Sequence, residues 1–216
     1  MALARPQNPL DPDVQATIHE FARDPVCDVR LQIVQNLHVL RDSDSAWVWA
    51  EIEHVLEHEY MRQVIDSAIQ SLAQVAYLDV LRAIRIAKRV LDRYKGQQSP
   101  GIGQVCQSAA SHVMDIHFVF SNAEADEFYA EQLADPPLHA ENLHAWVARY
   151  SDKLTIGDDT GSNQDRQRAK TIAFYRDTAD AVSDAIERIY AEHEVAKSGE
   201  WPIGGRIAGA GIKRRP

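Results

Sequence analysis

The sequence predicts an all-α protein in which pairs of helices stack on one another as a short superhelix. The first observation is a repeat of 32 residues. Apolar positions on one helical face recur at that spacing, first as Val29, Ile33, Leu37 and Leu40, then as Met61, Ile65, Ile69 and Leu72. A second face recurs in the same way, as Val48, Ile52 and Val55, then as Val80, Ile84 and Ala87. Residues 26–94 contain neither Gly nor Pro, and the alternating pattern of strands is absent.

These patterns divide the chain into four regions. Residues 1–12 carry three prolines and predict a flexible leader. Residues 13–118 predict the repeat region, and the periodicity places its helices at 13–21, 26–40, 44–58, 61–77, 78–94 and 104–118. Residues 119–195 predict an irregular helical extension that ends in a long helix at 165–193. Residues 196–216 predict a Gly-rich basic tail without fixed structure.

One run in the repeat region resembles a known family. The run DPVCDVRLQIVQNLHVL, residues 24–40, is similar to the second helix of a HEAT repeat, which often opens with an Asp-Pro turn and a Val-Arg pair. Here the pair is Val29-Arg30. In the second copy Met61-Arg62 takes the position of this pair and matches the pattern less well, since His58 and Glu59 stand where Asp-Pro is expected. The resemblance covers residues 12–118 and implies a right-handed α-α superhelix of the armadillo type, which constrains function only to a class.

Composition narrows the possible partners. The 216 residues carry a formal net charge of −9, which disfavours nucleic acid and anionic membrane surfaces as partners. No apolar run approaches the ~18 residues of a membrane span, and the first residues lack the apolar segment of a signal peptide. Cys27 and Cys106 form no disulfide framework. We therefore expect a cytoplasmic protein.

The architecture predicts a scaffold or adaptor that binds another protein and has no catalytic residues and no cofactor. In stacked repeats each helix pair adds a strip to an extended surface, which suits the recognition of a peptide or a subunit. The candidate contact residues are the polar positions of helices 26–40 and 61–77: Gln32, Gln35, Arg62, Gln63, Asp66 and Gln70.

Four arginines form a ridge opposite the apolar face of helix 78–94: Arg82, Arg85, Arg89 and Arg93. Such a ridge is typical of a site for phosphate or an acidic partner. The repeat offers another interpretation, because the positions 32 residues before Arg85 and Arg89 are Glu53 and Glu57. Equivalent positions of stacked repeats lie side by side, so the ridge is also expected to pair with these acids.

A zinc-dependent hydrolase is the alternative function. His54-Val55-Leu56-Glu57-His58 has the H-x-x-E-H order in which two histidines bind zinc and the glutamate acts as general base. Glu124, Glu127 and Glu131 are equivalent candidates for a third ligand. The competing interpretation is a solvated polar face. The other histidines, including His112 with Asp115 three residues later, are expected to be surface or hydrogen-bonded core residues.

The long C-terminal helix offers a surface for self-association. Its apolar face is predicted to consist of Ile172, Ala179, Val182, Ile186 and Ile189. A helix of this length spans about 40 Å. It is therefore expected to cross several shorter helices or to pair with another chain.

Overall fold

The computed structural model describes residues 10–97, 101–151 and 162–198. All regular structure in these ranges is helical and no strand occurs in them, which confirms the all-α class. Residues 1–9 of the predicted leader and 199–216 of the predicted tail lie outside the described residues. Within the described ranges, no helix combines the length and the apolar character needed to cross a bilayer.

We number the α-helices of these ranges α1 to α9. They are α1 (Pro12–Phe21), α2 (Cys27–Val34), α3 (Arg41–His58), α4 (Arg62–Val75), α5 (Val80–Tyr94), α6 (Ile102–Phe120), α7 (Ala123–Ala134), α8 (Ala140–Tyr150) and α9 (Ser162–Ser198). Short 3-10 turns, Leu37–Leu40 and Ala76–Leu78, precede α3 and α5. The predicted helix 26–40 is therefore wrong in its second half, because α2 ends at Val34 and the chain tightens into the first of these turns.

The starts of α3 and α5 are built in the same way. Asp44, at φ −147° and ψ 83°, interrupts the first turns of α3, and its carboxylate accepts a hydrogen bond from the Trp47 amide at 3.0 Å. Asp79 has similar angles, φ −153° and ψ 89°, and accepts from the Arg82 amide at 3.0 Å. Each carboxylate satisfies an amide that a helix start leaves unpaired. The two repeats thus share a local device as well as an apolar pattern.

The helices contact one another in two rows that follow the chain. In one row α2 packs against α4, α4 against α6, and α6 against α8. In the other, α3 packs against α5 and α5 against α7. Hydrogen bonds from Gln15 and Arg23 join α1 to α3 at the end of that row. The two predicted hairpins, α2–α3 and α4–α5, therefore lie against each other, as the 32-residue spacing predicts.

The core lies between the two rows. Most positions of the predicted apolar faces are fully buried there: Leu37, Val48, Ile52, Val55, Ile65, Ile69, Leu72, Ile84 and Ala87. Five positions remain: Ile33, Leu40, Met61 and Val80 are half-buried against the same core, and Val29 is half-buried but does not belong to it. Burying a Val, Leu or Ile side chain contributes about 1.5–3 kcal/mol, so this shared core provides the main stabilisation of the repeat region.

Arg30, the arginine of the Val-Arg pair, forms a buried ion pair with Glu59. Its guanidinium donates to both carboxylate oxygens of Glu59, from Nε at 2.7 Å and from Nη2 at 3.2 Å, and Nη1 donates to the Asp24 carbonyl at 2.7 Å. Glu59 also accepts from the amides of Tyr60 and Met61 at 2.9 and 2.8 Å. Burial raises the pKa of Glu59, but the bonds from Arg30 and the two amides outweigh burial and lower it. The pair ties α2 to the link between α3 and α4.

The predicted apolar face of the last helix does not pack on this chain. α9 packs on α6, α7 and α8 through another side, formed by Thr171, Phe174, Thr178 and Ala185. The ring of Phe174 lies among those of Phe118, Tyr129 and Tyr150, with centroid distances of 5.5, 5.6 and 6.0 Å. This aromatic cluster orients the helix, since Phe174 is the largest fully buried side chain on α9. The predicted face is left exposed, with the three isoleucines 44–51% accessible.

Candidate functional site

The predicted contact residues lie on the row formed by α2, α4, α6 and α8. Gln32, Arg62, Gln63 and Gln70 are exposed, and Gln35 and Asp66 are half-buried. The Gln35 side-chain amide donates to that of Gln32 at 2.9 Å, so these two satisfy each other. On α4 the exposed and half-buried polar positions recur at helical spacing and form a stripe that faces solvent.

The structure extends this stripe onto α6 with residues that sequence reasoning missed. Gln104 accepts a hydrogen bond from Arg62 Nη1 at 2.6 Å, which joins the N-terminal ends of α4 and α6. Gln107 follows one turn later and is half-buried. With Gln63, Gln70 and Gln74, the exposed and half-buried positions of α4 and α6 carry five glutamines, which we call the glutamine face.

A groove of about 400 Å³ lies between Gln70 and Gln107 of the glutamine face and extends to α8. Its polar lining comes from three helices: Gln70 on α4, then Gln107, Ser108, Ser111, His112 and Asp115 on α6, and Arg149 on α8. Its volume falls within the range of ligand pockets in proteins. The groove is therefore the site at which the predicted surface becomes concave.

His112 lies just beneath the surface of this groove and is unusual among the histidines. It is only 5% exposed, and neither ring nitrogen has a hydrogen-bond partner among the described residues. A buried donor or acceptor left unpaired costs about 1–3 kcal/mol. Burial lowers the pKa of His112 to about 4, against a small opposing effect of Asp115. The ring is therefore neutral at pH 7, and no described residue satisfies it in the way expected of a hydrogen-bonded core histidine.

The charges beside His112 cancel within the protein. Both oxygens of Asp115 accept from Arg149, at 3.2 Å from Nε and 2.6 Å from Nη2. The Tyr150 hydroxyl donates to the same carboxylate at 2.6 Å. The Trp146 indole donates to Ser111 Oγ at 3.2 Å. This part of the groove is consequently polar and without net charge.

Asp66 on α4 contacts Ser108 of the groove lining and has one unpaired oxygen. Burial raises the pKa of its carboxyl group, while a hydrogen bond from Ser108 and the charge of Arg62 oppose that shift. Its Oδ1 atom is buried and has no partner among the described residues. Asp66 and His112 thus both offer unused hydrogen-bonding atoms along the same two helices.

The four ridge arginines all contact acceptors of neighbouring helices. Glu53 accepts from Arg82 at 2.5 Å and from Arg89 at 3.1 Å, and Arg89 also reaches Glu57 at 3.0 Å. Burial raises the pKa of Glu53, but the bonds from Arg82 and Arg89 outweigh burial and lower it. These contacts favour the structural pairing interpretation over an open anion site.

Arg85 departs from the 32-residue expectation, and Arg93 contacts main-chain carbonyls instead of a carboxylate. Arg85 bonds Glu124 of α7 at 3.2 Å rather than Glu53. Arg93 donates to the carbonyls of Leu56 and Glu59, at 2.6 and 2.9 Å, and so caps the C-terminus of α3. The ridge therefore links α3, α5 and α7 as a continuous set of contacts along one row.

The three residues of the H-x-x-E-H match do not converge. Glu57 faces α5, where it accepts from Arg89. The rings of His54 and His58 stack with their centroids 4.1 Å apart and their planes 20° apart, and the His58 Nδ1–H donates to the His54 carbonyl at 2.8 Å. The in-plane lone pairs of stacked rings point in parallel directions and do not meet at one ion.

The proposed third ligands do not complete a zinc site. Glu124 is bonded to Arg85, and Glu127 and Glu131 are exposed on α7. In the described ranges, no group of three or more His, Cys, Asp or Glu side chains is placed to hold a metal ion. As arranged, these residues do not fit zinc. The hydrolase alternative stays a prediction, and a metal assay on the purified protein and on His58→Ala would test it.

Comparison with known proteins adds no relative. No protein-family model, no curated protein and no solved structure matches the chain. The HEAT-like resemblance of residues 24–40 thus stays a prediction, and the function is argued from the geometry alone.

Proposed function

We propose that the protein is a non-catalytic scaffold that binds another protein along its glutamine face, on a right-handed superhelix of HEAT-like helix pairs. The observation that carries this proposal is the groove, which spans α4, α6 and α8 and is lined by polar side chains. Stacked helices that contribute one strip each form extended binding surfaces of this kind.

The distribution of charge supports a protein partner over nucleic acid. The net charge is −9, and the four ridge arginines already hold acceptors within the chain. Phosphate binding needs clustered cations that are available to a ligand. The glutamine face instead offers amides, which both donate and accept hydrogen bonds.

The experiment is selection of binders from a displayed library of random peptides, followed by fluorescence anisotropy with the selected peptides. Gln70→Arg places a bulky charge in the groove. Gln97→Arg is the matched control, since Gln97 is an exposed glutamine after α5 and away from the groove. Peptides that bind the wild type and Gln97→Arg but not Gln70→Arg support the proposal. Failure to select any peptide, or equal binding to Gln70→Arg, contradicts it.

We also infer self-association through α9. Its exposed apolar residues follow steps of seven, three, four and three from Ile172 to Ile189, which is the spacing of a coiled-coil seam. A second copy presents the same seam. Sedimentation equilibrium should give a dimer or larger oligomer for the wild type and for Ala191→Glu, a neighbouring exposed position. Ile186→Glu should be monomeric, and a monomeric wild type at about 100 µM would contradict the inference.

A further inference from the structure

We propose that the groove on the glutamine face recognises an extended, uncharged stretch of polypeptide through its main-chain amides, with His112 as a hydrogen-bonding partner inside the groove. This inference rests on the proposed function and deepens it, because it names the chemistry of the bound segment. It stands on the placement of the glutamines, the internal pairing of the charges, and the two unpaired ring nitrogens of His112.

The side chains that line the groove match the polar groups of a peptide bond. A glutamine side chain carries one carbonyl and one NH₂ group, so it matches the carbonyl and N–H of a peptide bond. Gln70 and Gln107 face the groove from two helices, with Ser108 and Ser111 between them. Hydroxyl groups also donate and accept. The lining therefore complements a chain that presents donors and acceptors in alternation, which is the property of a peptide backbone.

The groove offers no unpaired charge to a ligand. Asp115 is held by Arg149 and Tyr150, so neither member of that ion pair is available to a charged ligand without breaking a short contact. His112 is neutral near pH 7 because it is buried. A charged side chain entering this groove would lose water and find no opposite charge in compensation, which is unfavourable. The groove thus selects against ionic segments.

His112 provides two ring nitrogens that have no partner among the described residues. Its neutral ring has one N–H donor and one acceptor nitrogen, and both are unpaired beneath the groove surface. Both nitrogens are covered in the free protein, so a ligand group reaches them when the ring rotates about χ2, a torsion with a broad energy minimum. A peptide carbonyl or N–H that reaches this ring satisfies an atom that the free protein leaves unsatisfied. No existing hydrogen bond of the ring is broken on binding.

The dimensions suit a short extended segment. Neighbouring packed helices lie about 8–10 Å apart, so a ligand that crosses from α4 over α6 to α8 covers about 16–20 Å. An extended chain advances about 3.3 Å per residue. The groove therefore accommodates about five or six residues, which is the length over which the library peptides should share a motif.

The test uses library peptides whose binding is abolished by Gln70→Arg. Methylation of single backbone nitrogens, scanned along such a peptide, should weaken binding about tenfold at one or more central positions, equivalent to about 1.4 kcal/mol. Raising NaCl from about 50 to 500 mM should change the dissociation constant less than about threefold, because few ions are released. These two measurements use the wild-type protein and do not depend on a folded variant.

The variant is His112→Phe, which keeps an aromatic ring and removes both nitrogens. It should weaken peptide binding about tenfold, while the melting temperature stays equal to that of the wild type or rises, because unsatisfied buried atoms are lost. His144→Phe, an exposed histidine on α8, is the control and should leave binding unchanged. A lowered melting temperature with unchanged binding would assign His112 a structural role and overturn the proposal.

Two outcomes separate this inference from the proposed function. If Gln70-dependent peptides are found but are highly charged, bind salt-dependently, or tolerate every N-methyl group, the inference is wrong and the scaffold proposal stands. If no peptide depends on Gln70, both fail together.

Discussion

Replacement of Arg30 by methionine should lower the free energy of unfolding by about 3–5 kcal/mol, because it removes one partner of a buried ion pair. The side chains of Arg30 and Glu59 are only 8% and 6% exposed. Without the guanidinium, the Glu59 carboxylate keeps the amides of Tyr60 and Met61 but loses its counter-charge. The Asp24 carbonyl also loses its donor, which releases the turn before α2.

The size of the effect is separated from simple loss of packing by a double-mutant cycle. Glu59→Gln keeps an acceptor oxygen for the two amides but removes the charge. Each single variant leaves an uncompensated partner, whereas the double variant leaves neither. We expect the double variant to lose less stability than the sum of the two single losses, by about 1–3 kcal/mol. Urea unfolding followed by circular dichroism at 222 nm gives all four free energies.

Arg62→Met is the matched control, since Arg62 occupies the position equivalent to Arg30 in the second repeat. Its side chain is 43% exposed, and its Nε atom lies 3.8 Å from Oδ2 of Asp66. Exposed pairs contribute about 0–1 kcal/mol, so this variant should lose less than about 1 kcal/mol. If Arg30→Met and Arg62→Met destabilise equally, or if the cycle is additive, the stabilising role of the Arg30–Glu59 ion pair is refuted.

Three further predictions follow from the contacts described above. Glu53→Lys should destabilise the protein by about 1–2 kcal/mol, because the new cation faces Arg82 and Arg89. The control Glu127→Lys, on the exposed side of α7, should have no effect. An unchanged melting temperature for Glu53→Lys would remove the support for the pairing. His112 has a folded pKa of about 4, lowered by burial from an ordinary value near 6.5, so the folded state binds fewer protons and stability should fall by up to about 3 kcal/mol as pH drops from 6.5 to 4. The urea midpoints of the wild type and His112→Phe should diverge between pH 6.5 and 4, and midpoints that change in parallel with pH would contradict the assignment. Below about pH 4.5, both proteins lose further stability because the pKa values of Glu53 and Glu59 are lowered in the folded state. Gly101→Ala should cost more than Gly96→Ala in thermal unfolding, since both have positive φ but only the Gly101 Cβ would lie 2.7 Å from Arg62 Cδ, and equal losses would argue against that contact.

The repeat region was predictable because its signals are local and periodic. The 32-residue spacing identified most of the core positions and the pairing of Arg89 with Glu57. It did not predict that Arg82 would reach Glu53, since that contact depends on how far α5 slides along α3. The spacing along the chain predicts which helices are neighbours, whereas their packing determines which helical turns are in contact.

The candidate site was only half predictable. Gln70 and Asp66 were identified from the exposed side of α4, but α6 follows a break in the repeat spacing, so its contribution carried no periodic signal. Asp115 and Arg149 are far apart in sequence and meet only because α6 packs against α8. That His112 is buried without a partner is a property of three packed helices, and no local pattern encodes it.

The face through which α9 packs on this chain was not predictable, for a related reason. The helix carries two stripes with helical spacing, and the sequence pattern identifies only the more apolar one, which stays exposed. The structure buries the stripe with Phe174 instead, because the aromatic rings of α6, α7 and α8 form a site for it. Total hydrophobicity along a stripe does not decide such a choice when one large ring has a preformed partner set.

The central claim, that His112 is a neutral groove residue awaiting a ligand amide, is tested most directly by NMR of protein with ¹⁵N-labelled histidine rings. Titration with a Gln70-dependent peptide at pH 7 should leave the His112 ring neutral and shift one of its nitrogens toward a hydrogen-bonded value, while the His54 and His58 signals stay unchanged. A saturating peptide that leaves both His112 nitrogens unmoved, or a His112 ring that is protonated at pH 7, would contradict the account.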